Sequence, residues 1–296
     1  MDKIRLKARA KINLALDVIK KREDGYHEVS MIMQTVNLFD ELEIKKIKKN
    51  DIILKTNLPF IPTDQNNLVY KAVQIIKENY SIKTGLFIRL DKAIPVAAGL
   101  AGGSSDAAAA LVGLNKLFEL GLSMDKLMKL GVKIGADVPY CLLRGTALAK
   151  GIGEKLTPLS SMPMCHVVLA KPSISVSTAA IYSKLNIENI NKHPDIDSMI
   201  LAIKEKDIYQ ISNLMENVLE TVTEKEFPII KVLKDYMLKQ GAVGAMMSGS
   251  GPTVFGIFDD KDKAKSTMYK LKLNNYAKQV YLTTIFNRER GRGYAG

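Results

Sequence analysis

Between Pro95 and Ser105 the chain reads PVAAGLAGGSS, three glycines and two serines at the junction of a strand-like run and a helix-like run. Gly99, Gly102 and Gly103 permit positive φ and let an anion approach the backbone without meeting a Cβ. The unpaired N–H groups and the dipole of a helix start favour negative charge, and Ser104 and Ser105 add hydroxyls for capping, phosphate or metal contact. The stretch suits a phosphate, although a glycine-rich turn feeding a small-residue helix against a sheet has the same composition. Two familiar phosphate loops are excluded. A P-loop needs a lysine directly after its final glycine, where this chain has Ser104, and GLAGG lacks the GxGxxG spacing of a dinucleotide fingerprint. Any lysine serving this loop must come from elsewhere.

AKINLAL offers one. Alternation puts Ile12, Leu14, Leu16 and Val18 on one face of a strand and Lys11, Asn13 and Asp17 on the other. An inward lysine beside an asparagine suggests a site; a solvated polar face explains the same residues equally well. Asp24-Gly25 is a turn signal, and the Tyr26-His27 pair beyond it either closes a hairpin end or stacks on a flat ligand. In GADVP, Pro139 is expected to force Val138 out of the helical region and to hold Asp137 in an extended loop after a helix. A carboxylate there serves as a base or bonds its own backbone in a turn. SGSGP, from Ser248 to Pro252, is either a second loop able to approach a phosphate or a tight hairpin.

The elements that must position these residues are mixed. GLFIRLDKAI predicts a strand with Leu86, Ile88 and Leu90 on one face, and after the loop Ala107, Leu111, Leu114 and Phe118 repeat at helical spacing. MIMQTVNLF and ELEIKKI read as strands. LVYKAVQIIKENY reads as a helix with a stripe of Leu68, Ala72, Ile75 and Ile76, capped by Asn66 or Asn67. LSMDKLMKLGVKI predicts a helix begun by Ser123 and stopped near Gly135. TPLSSMP reads as a linker and divides the chain into domains at 1–157 and 158–296. The second part opens with a buried strand, HVVLAKP, continues with helices from Thr178, Ile196 and Phe227, and places a strand on each side of SGSGP. A helix from Asp262, the strand QVYLTTIF and a frayed polar tail, NRERGRGYAG, complete an α+β chain.

A length of 296 residues suits two domains that each bury a core, and 47% hydrophobic with 25% charged residues is a globular composition. No run of about 20 apolar residues occurs and MDKIRLKARA lacks a signal-peptide apolar region, so a cytoplasmic location without membrane partners is expected. Cys141 and Cys165 are too few for a disulfide framework and read as core residues. The net charge of +12 suits anionic partners. The lysines are dispersed and not interleaved with aromatics, which argues against nucleic acid.

Five pieces, AKINLAL, DGYH, PVAAGLAGGSSDAA, GADVP and SGSGPTVF, resemble in order and spacing the GHMP small-molecule kinases over nearly the whole chain. DGYH after AKINLAL resembles the branch that acts on a diphosphocytidyl methylerythritol substrate of non-mevalonate isoprenoid synthesis, and not on homoserine, mevalonate or galactose. The resemblance implies a two-domain α+β fold with its site in the interdomain cleft, and ATP-dependent phosphorylation of the substrate 2-hydroxyl. It implies Asp137 as the base, with Lys11 orienting it and in contact with it. Pro95, Val96, Ala97, Ala98, Gly99, Leu100, Ala101, Gly102, Gly103, Ser104 and Ser105 are implied as the ATP phosphate loop, with Asn67, Leu68 and Lys92 around the nucleotide. Asn13, Tyr26, His27, Thr178 and Tyr182 are implied on the substrate side, and Gly249, Ser250 and Gly251 as the third motif.

Magnesium is implied beside ATP. Many relatives hold it with a glutamate one helix ahead of the aspartate; here that helix offers only Asp125, so a hydroxyl of Ser104 or Ser105, or binding through water, is the other option and the ligands stay unassigned. Ala97, Ala98 and Ala101 stand where relatives often carry glycine, which should stiffen the loop without closing it. Two further readings fit the same residues. A GHMP kinase for another alcohol is distinguished by Tyr26 and His27 packing away from the cleft, and against a noncatalytic nucleotide- or RNA-binding protein stands an inward carboxylate beside a lysine.

Overall fold

The computed structural model describes residues 1–288. Its first half runs β1 (Lys3–Lys21), β2 (His27–Ile47), β3 (Ile52–Thr56), α1 (Leu68–Asn79), β4 (Gly85–Asp91), α2 (Gly102–Leu117), α3 (Met124–Val132), α4 (Val138–Leu143), β5 (Thr146–Gly151) and β6 (Lys155–Pro158). The second runs β7 (His166–Lys171), α5 (Thr178–Lys184), α6 (Ile196–Glu205), α7 (Ile208–Asn213), β8 (Glu216–Asn217), α8 (Glu220–Glu226), α9 (Ile229–Lys239), β9 (Gly244–Met247), β10 (Val254–Phe258), α10 (Lys261–Leu273) and β11 (Gln279–Thr284). The strand pair around SGSGP, the cap of α1 by Asn67 and the cap of α3 by Ser123 are as expected.

Seven strands form one sheet in the order β3-β4-β2-β1-β8, with β5 on β2 and β6 on β5; four antiparallel strands form a second in the order β11-β7-β10-β9. The chain passes from one sheet to the other between Pro158 and His166; β8 returns to pair with β1, and Ile285 bridges Val36 of β2. On one face of the first sheet α2 buries Ala107, Leu111 and Leu114 against Leu6, Leu42 and Ile44. A Cβ on Gly113 would meet Leu6 Cδ1 at 2.7 Å, so this glycine lets the helix lie directly on the strands. Ile12, Leu14 and Ile32 pack instead in a second core with Val167, Leu169 and Phe255 of the other sheet.

That arrangement corrects the expected face of β1. Leu16 and Val18 lie in the first core and Ile12 and Leu14 in the second, because the β1–β2 register shifts between Arg9 and Lys11 and again between Asn13 and Ala15. Each shift exchanges the faces of the residues beyond it. Lys11 and Asn13 are carried to the face that holds Leu6, Leu16 and Val18. At these shifts the strand has partners besides β2: Lys11 N–H donates to the Leu100 carbonyl at 3.1 Å, and Ala15 and Leu16 also pair with β8.

Asp137 is also placed differently. It is not in an extended loop but caps α4 with helical dihedrals, φ −81° and ψ −12°, and Pro139 lies in the first turn, where its missing N–H removes no helical bond. The buried stripe of α1 is Val69, Ala72, Val73 and Ile76, with Leu68 and Ile75 at its margin. The helix expected from Phe227 begins at Ile229, and β3, α4, β5, β6, α7, β8 and α8 answer to no sequence expectation. The expected linker includes the end of β6. Most of the tail expected to fray lies outside the described residues; Asn287 at its start donates to the Met162 carbonyl at 2.7 Å.

Candidate active site

A cleft of about 960 Å³ opens between the β1–β2 hairpin end, the loop before α1, the glycine loop, the start of α4, α5 and the β9–β10 hairpin. All the expected site residues line it except Leu100, Ser105 and Gly251. Leu100 and Ser105 face the other way and tie the loop to the irregular part of β1, through the Leu100 carbonyl to Lys11 N–H and Ser105 Oγ to the Arg9 carbonyl at 2.7 Å. Gly251 turns the hairpin, at φ 89°, with its N–H on the Ser248 carbonyl.

Only one of the three loop glycines uses its conformational freedom. The left-handed positions are Ala97 (φ 49°), Gly99 (φ 73°) and Ala101 (φ 55°), whereas Gly102 and Gly103 are the first helical residues of α2. Ala101 occupies the cap position and offers no side-chain hydrogen bond, so neither serine caps this helix. The first bond of the helix runs from Ser105 N–H to the Ala101 carbonyl at 2.9 Å. The N–H groups of Gly102, Gly103 and Ser104 therefore have no helical partner and border the cleft, at the positive end of a 16-residue helix.

Lys11 is 5% exposed and Asn13 is fully buried. The Lys11 ammonium donates to Asn13 Oδ1 at 2.8 Å and to the Gly99 carbonyl at 3.0 Å. Burial lowers its pKa, and the half-buried Asp137 carboxylate opposes that shift through space. The expected direct contact of Lys11 with Asp137 is not made; the ammonium is held by neutral acceptors while its charge faces the carboxylate.

Lys92 lines the cleft beside Gly102. Its ammonium is buried between Asp40 and Asp106, donating to both, with 2.6 Å to Asp106 Oδ2. Burial works against its charge and the two carboxylates raise its pKa. It joins β2, the end of β4 and α2. Burial, with Asp40 adding to it and Lys92 opposing it, raises Asp106 well above the usual carboxylate range, and Asp106 Oδ1 has no hydrogen-bond partner.

At the far end of the cleft the turn is held by Arg22, which donates to both Asp24 and Glu28, and by Asp24 Oδ1, which accepts from Tyr26 N–H. Tyr26 is left 58% exposed on the cleft wall, and His27 packs against Tyr182 with ring centroids 5.0 Å apart. Burial, then the Lys21 charge, lowers the His27 pKa and favours the neutral ring, with one donor and one acceptor. Thr178 Oγ1 lies 2.8 Å from Ser250 Oγ, which links this wall to the hairpin.

Phe60, 70% exposed, and Pro62 line the cleft beside Asn67 and are no part of the sequence expectation, although a phenylalanine between prolines is a signal. Asp125 is exposed in the first turn of α3 and does not reach the cleft. Among the described residues no three His, Cys, Asp or Glu side chains cluster to hold a metal. The oxygen donors bordering the phosphate loop are Ser104, whose Oγ lies against Gly135, and Asp137 two residues further on. Among the described residues no helix is long and apolar enough to cross a membrane.

The GHMP kinases N terminal domain family matches residues 67–145, and the GHMP kinases C terminal family matches residues 199–277. A 4-diphosphocytidyl-2-C-methyl-D-erythritol kinase of Lachnospira eligens is 56% identical over 286 residues, which cover 97% of this chain and 99% of the relative. The protein of the same name from Lachnoclostridium phytofermentans is 55% identical, covering 97% and 98%. Among solved structures, a crystal structure of 4-(cytidine 5'-diphospho)-2C-methyl-D-erythritol kinase aligns with a TM-score of 0.83 at 31% identity, over 96% of this chain and 100% of that one.

Proposed function

The chain belongs to the 4-diphosphocytidyl-2-C-methyl-D-erythritol kinases of the GHMP kinase superfamily, and on that premise we propose how its cleft performs their reaction. It is an ATP-dependent small-molecule kinase that phosphorylates the 2-hydroxyl of 4-diphosphocytidyl-2-C-methyl-D-erythritol, a step towards isoprenoid precursors outside the mevalonate route. The observation that carries the residue assignment is the convergence of three features on one cleft: an open helix start, a buried lysine beside an aspartate, and an exposed tyrosine next to a neutral histidine.

Phosphoryl transfer asks a protein mainly to position two anionic reactants and stabilise spread negative charge. The N–H groups of Gly102, Gly103 and Ser104 receive the ATP phosphates, and Asn67 and Leu68 border the nucleotide. Asp137 accepts the proton of the attacking hydroxyl. Lys11, fixed by Asn13 and the Gly99 carbonyl, holds its ammonium between base and loop, where it faces the charge that develops on the transferred group. Tyr26 stacks on the cytosine and His27 reads its polar edge, with Thr178, Tyr182 and Asn13 completing the acceptor wall and Gly249 and Ser250 bordering it.

Mg²⁺ would find a hard oxygen donor in Ser104 Oγ, which borders the cleft at the open helix start. Held there, it would neutralise phosphate charge. A cytoplasmic location and a domain division at 157/158 belong to the same proposal; in support of the division, the two sheets change over between Pro158 and His166. A coupled ADP-release assay tests the acceptor. Turnover is expected with the cytidine substrate and not with homoserine or mevalonate, and the reverse pattern would overturn the assignment.

A further inference from the structure

Two glycine-rich segments meet at one carbonyl. The Gly99 carbonyl accepts from Lys11 Nζ at 3.0 Å and from Ser248 Oγ at 2.9 Å. A Cβ on Gly99 would lie 2.1 Å from the Ser248 carbonyl, and a Cβ on Gly249 would lie 3.4 Å from both Lys11 Nζ and the Gly99 carbonyl. The β9–β10 hairpin is thus the wall against which the Lys11 ammonium is set.

Asn217 holds that wall. It is fully buried; its amide donates to the Met247 carbonyl at 2.9 Å and the Gly249 carbonyl at 2.8 Å, and its Oδ1 accepts from Leu219 N–H at 3.0 Å. Both donor hydrogens and the acceptor are engaged, so neither an apolar side chain nor a carboxylate of this size reproduces the set. Asn217 belongs to β8, which pairs with Ala15 and Leu16 of β1, directly after the register shift that follows Asn13. One side chain therefore fastens the hairpin to the strand that carries Lys11.

We propose that Asn217 is a positioning residue for phosphoryl transfer: by fixing the Met247 and Gly249 carbonyls it seats Ser248 on Gly99 and so sets the Lys11 ammonium relative to the phosphate loop. The inference rests on the reading of Lys11 given above. Without the amide the hairpin recedes, Ser248 leaves the Gly99 carbonyl, and Lys11 loses its register with Asp137. A displacement of about 1 Å at such a site costs on the order of 10²-fold in rate.

Full-length wild type, Asn217→Ala and the milder Ser248→Ala are compared well below their melting temperatures. Asn217→Ala is expected to lower kcat about 30- to 100-fold with each KM changed less than about 3-fold, and the double variant to be no worse, since both act through Gly99. Labelling of lysine amines by a succinimidyl ester, read by peptide mass spectrometry, supplies a readout apart from turnover. Lys11 should label several-fold faster in Asn217→Ala, while Lys92, whose partners are Asp40 and Asp106, should not. Unchanged kcat with a lowered Tm, additive losses in the double variant, or a parallel rise at both lysines would reduce Asn217 to a structural role. If the wild type fails to phosphorylate the cytidine substrate, the acceptor reading falls, while the contrast between the two lysines still decides the role of Asn217. Should Asn217→Ala not fold, Ser248→Ala carries the same two measurements, with smaller expected changes of the same sign, and wild-type values for both would overturn the proposal.

Discussion

The two ends of the cleft are built from different material. At the end proposed for the nucleotide the groups bordering the cleft are backbone N–H donors of Gly102, Gly103 and Ser104, in place because α2 begins there without a side-chain cap. At the acceptor end they are side chains, Lys11, Asp137, Tyr26 and His27, each drawn from a different part of the chain or held by its own contacts. A backbone donor survives most substitutions as long as the helix starts in the same place, whereas a side-chain function is lost with its residue. The acceptor end should therefore be brittle in chemistry, and the nucleotide end sensitive mainly in conformation.

The sharpest break of that contrast is at the base. Asp137→Asn is expected to reduce kcat by about 10³-fold or more while ATP binds within a few-fold of wild type, as read by coupled ADP release and calorimetry. Near-wild-type turnover would remove Asp137 as the base.

Between the two ends lies the hairpin, and behind it Glu220 accepts from Met247 N–H at 2.6 Å and pairs with Lys234 at 2.5 Å. Burial, opposed by Lys234, pushes the Glu220 carboxyl up from its ordinary 4.5 to about 7. A carboxyl that holds its proton more tightly when folded favours the folded state at acid pH, and that advantage is lost as pH rises from about 4.5 to about 7. The difference in unfolding free energy between wild type and Glu220→Gln should shift by up to about 3 kcal/mol across this window, measured by urea denaturation at pH 5 and pH 8. Parallel pH dependence in the two proteins would show that Glu220 is ionised throughout.

A smaller effect separates specificity from chemistry. Tyr26→Ala or His27→Ala should raise KM for the cytidine substrate about 10-fold, on the order of 1.4 kcal/mol, with KM for ATP unchanged in steady-state kinetics. Equal changes in both constants would place these rings outside the acceptor pocket. The smallest effect is conformational: Ala101 is left-handed at φ 55°, a position that costs an alanine about 1–2 kcal/mol. Ala101→Gly should raise stability by about 0.5–1 kcal/mol, after the greater entropy of glycine in the unfolded chain is allowed for. Destabilisation in chemical denaturation would mean that the loop does not rely on that strain.

Reading from particular elements, strands and helices of strong period were legible: β4 with Leu86, Ile88 and Leu90 buried, α2 after the glycines, and the strand pair around SGSGP all stand where periodicity and turn residues put them. The short elements β3, α4, β5, β6, α7, β8 and α8 were not, because two to seven residues carry too little period to register. Yet Asn217, in the shortest of them, holds the hairpin to the site. Asp137 was found for its residue type and its proline, but its helical conformation depends on α4 packing, not on the local preference of the residue before a proline.

The sequence alone determined the supply of chemistry: an anion-accepting junction of strand and helix, a lysine with an asparagine two residues on, a constrained aspartate and an aromatic pair after a turn. These follow from residue type and near spacing, which act locally. Tertiary structure decided which way each one faces. Two register shifts of β1 against β2, on either side of Lys11 and Asn13, turn these residues into the cleft where the strand also meets Leu100 and β8. Asp40 and Asp106 take the ammonium of Lys92, while Ala97 and Ala101 adopt the dihedrals that glycine composition alone assigned elsewhere. Partners distant in sequence settle these points, and no local pattern records them.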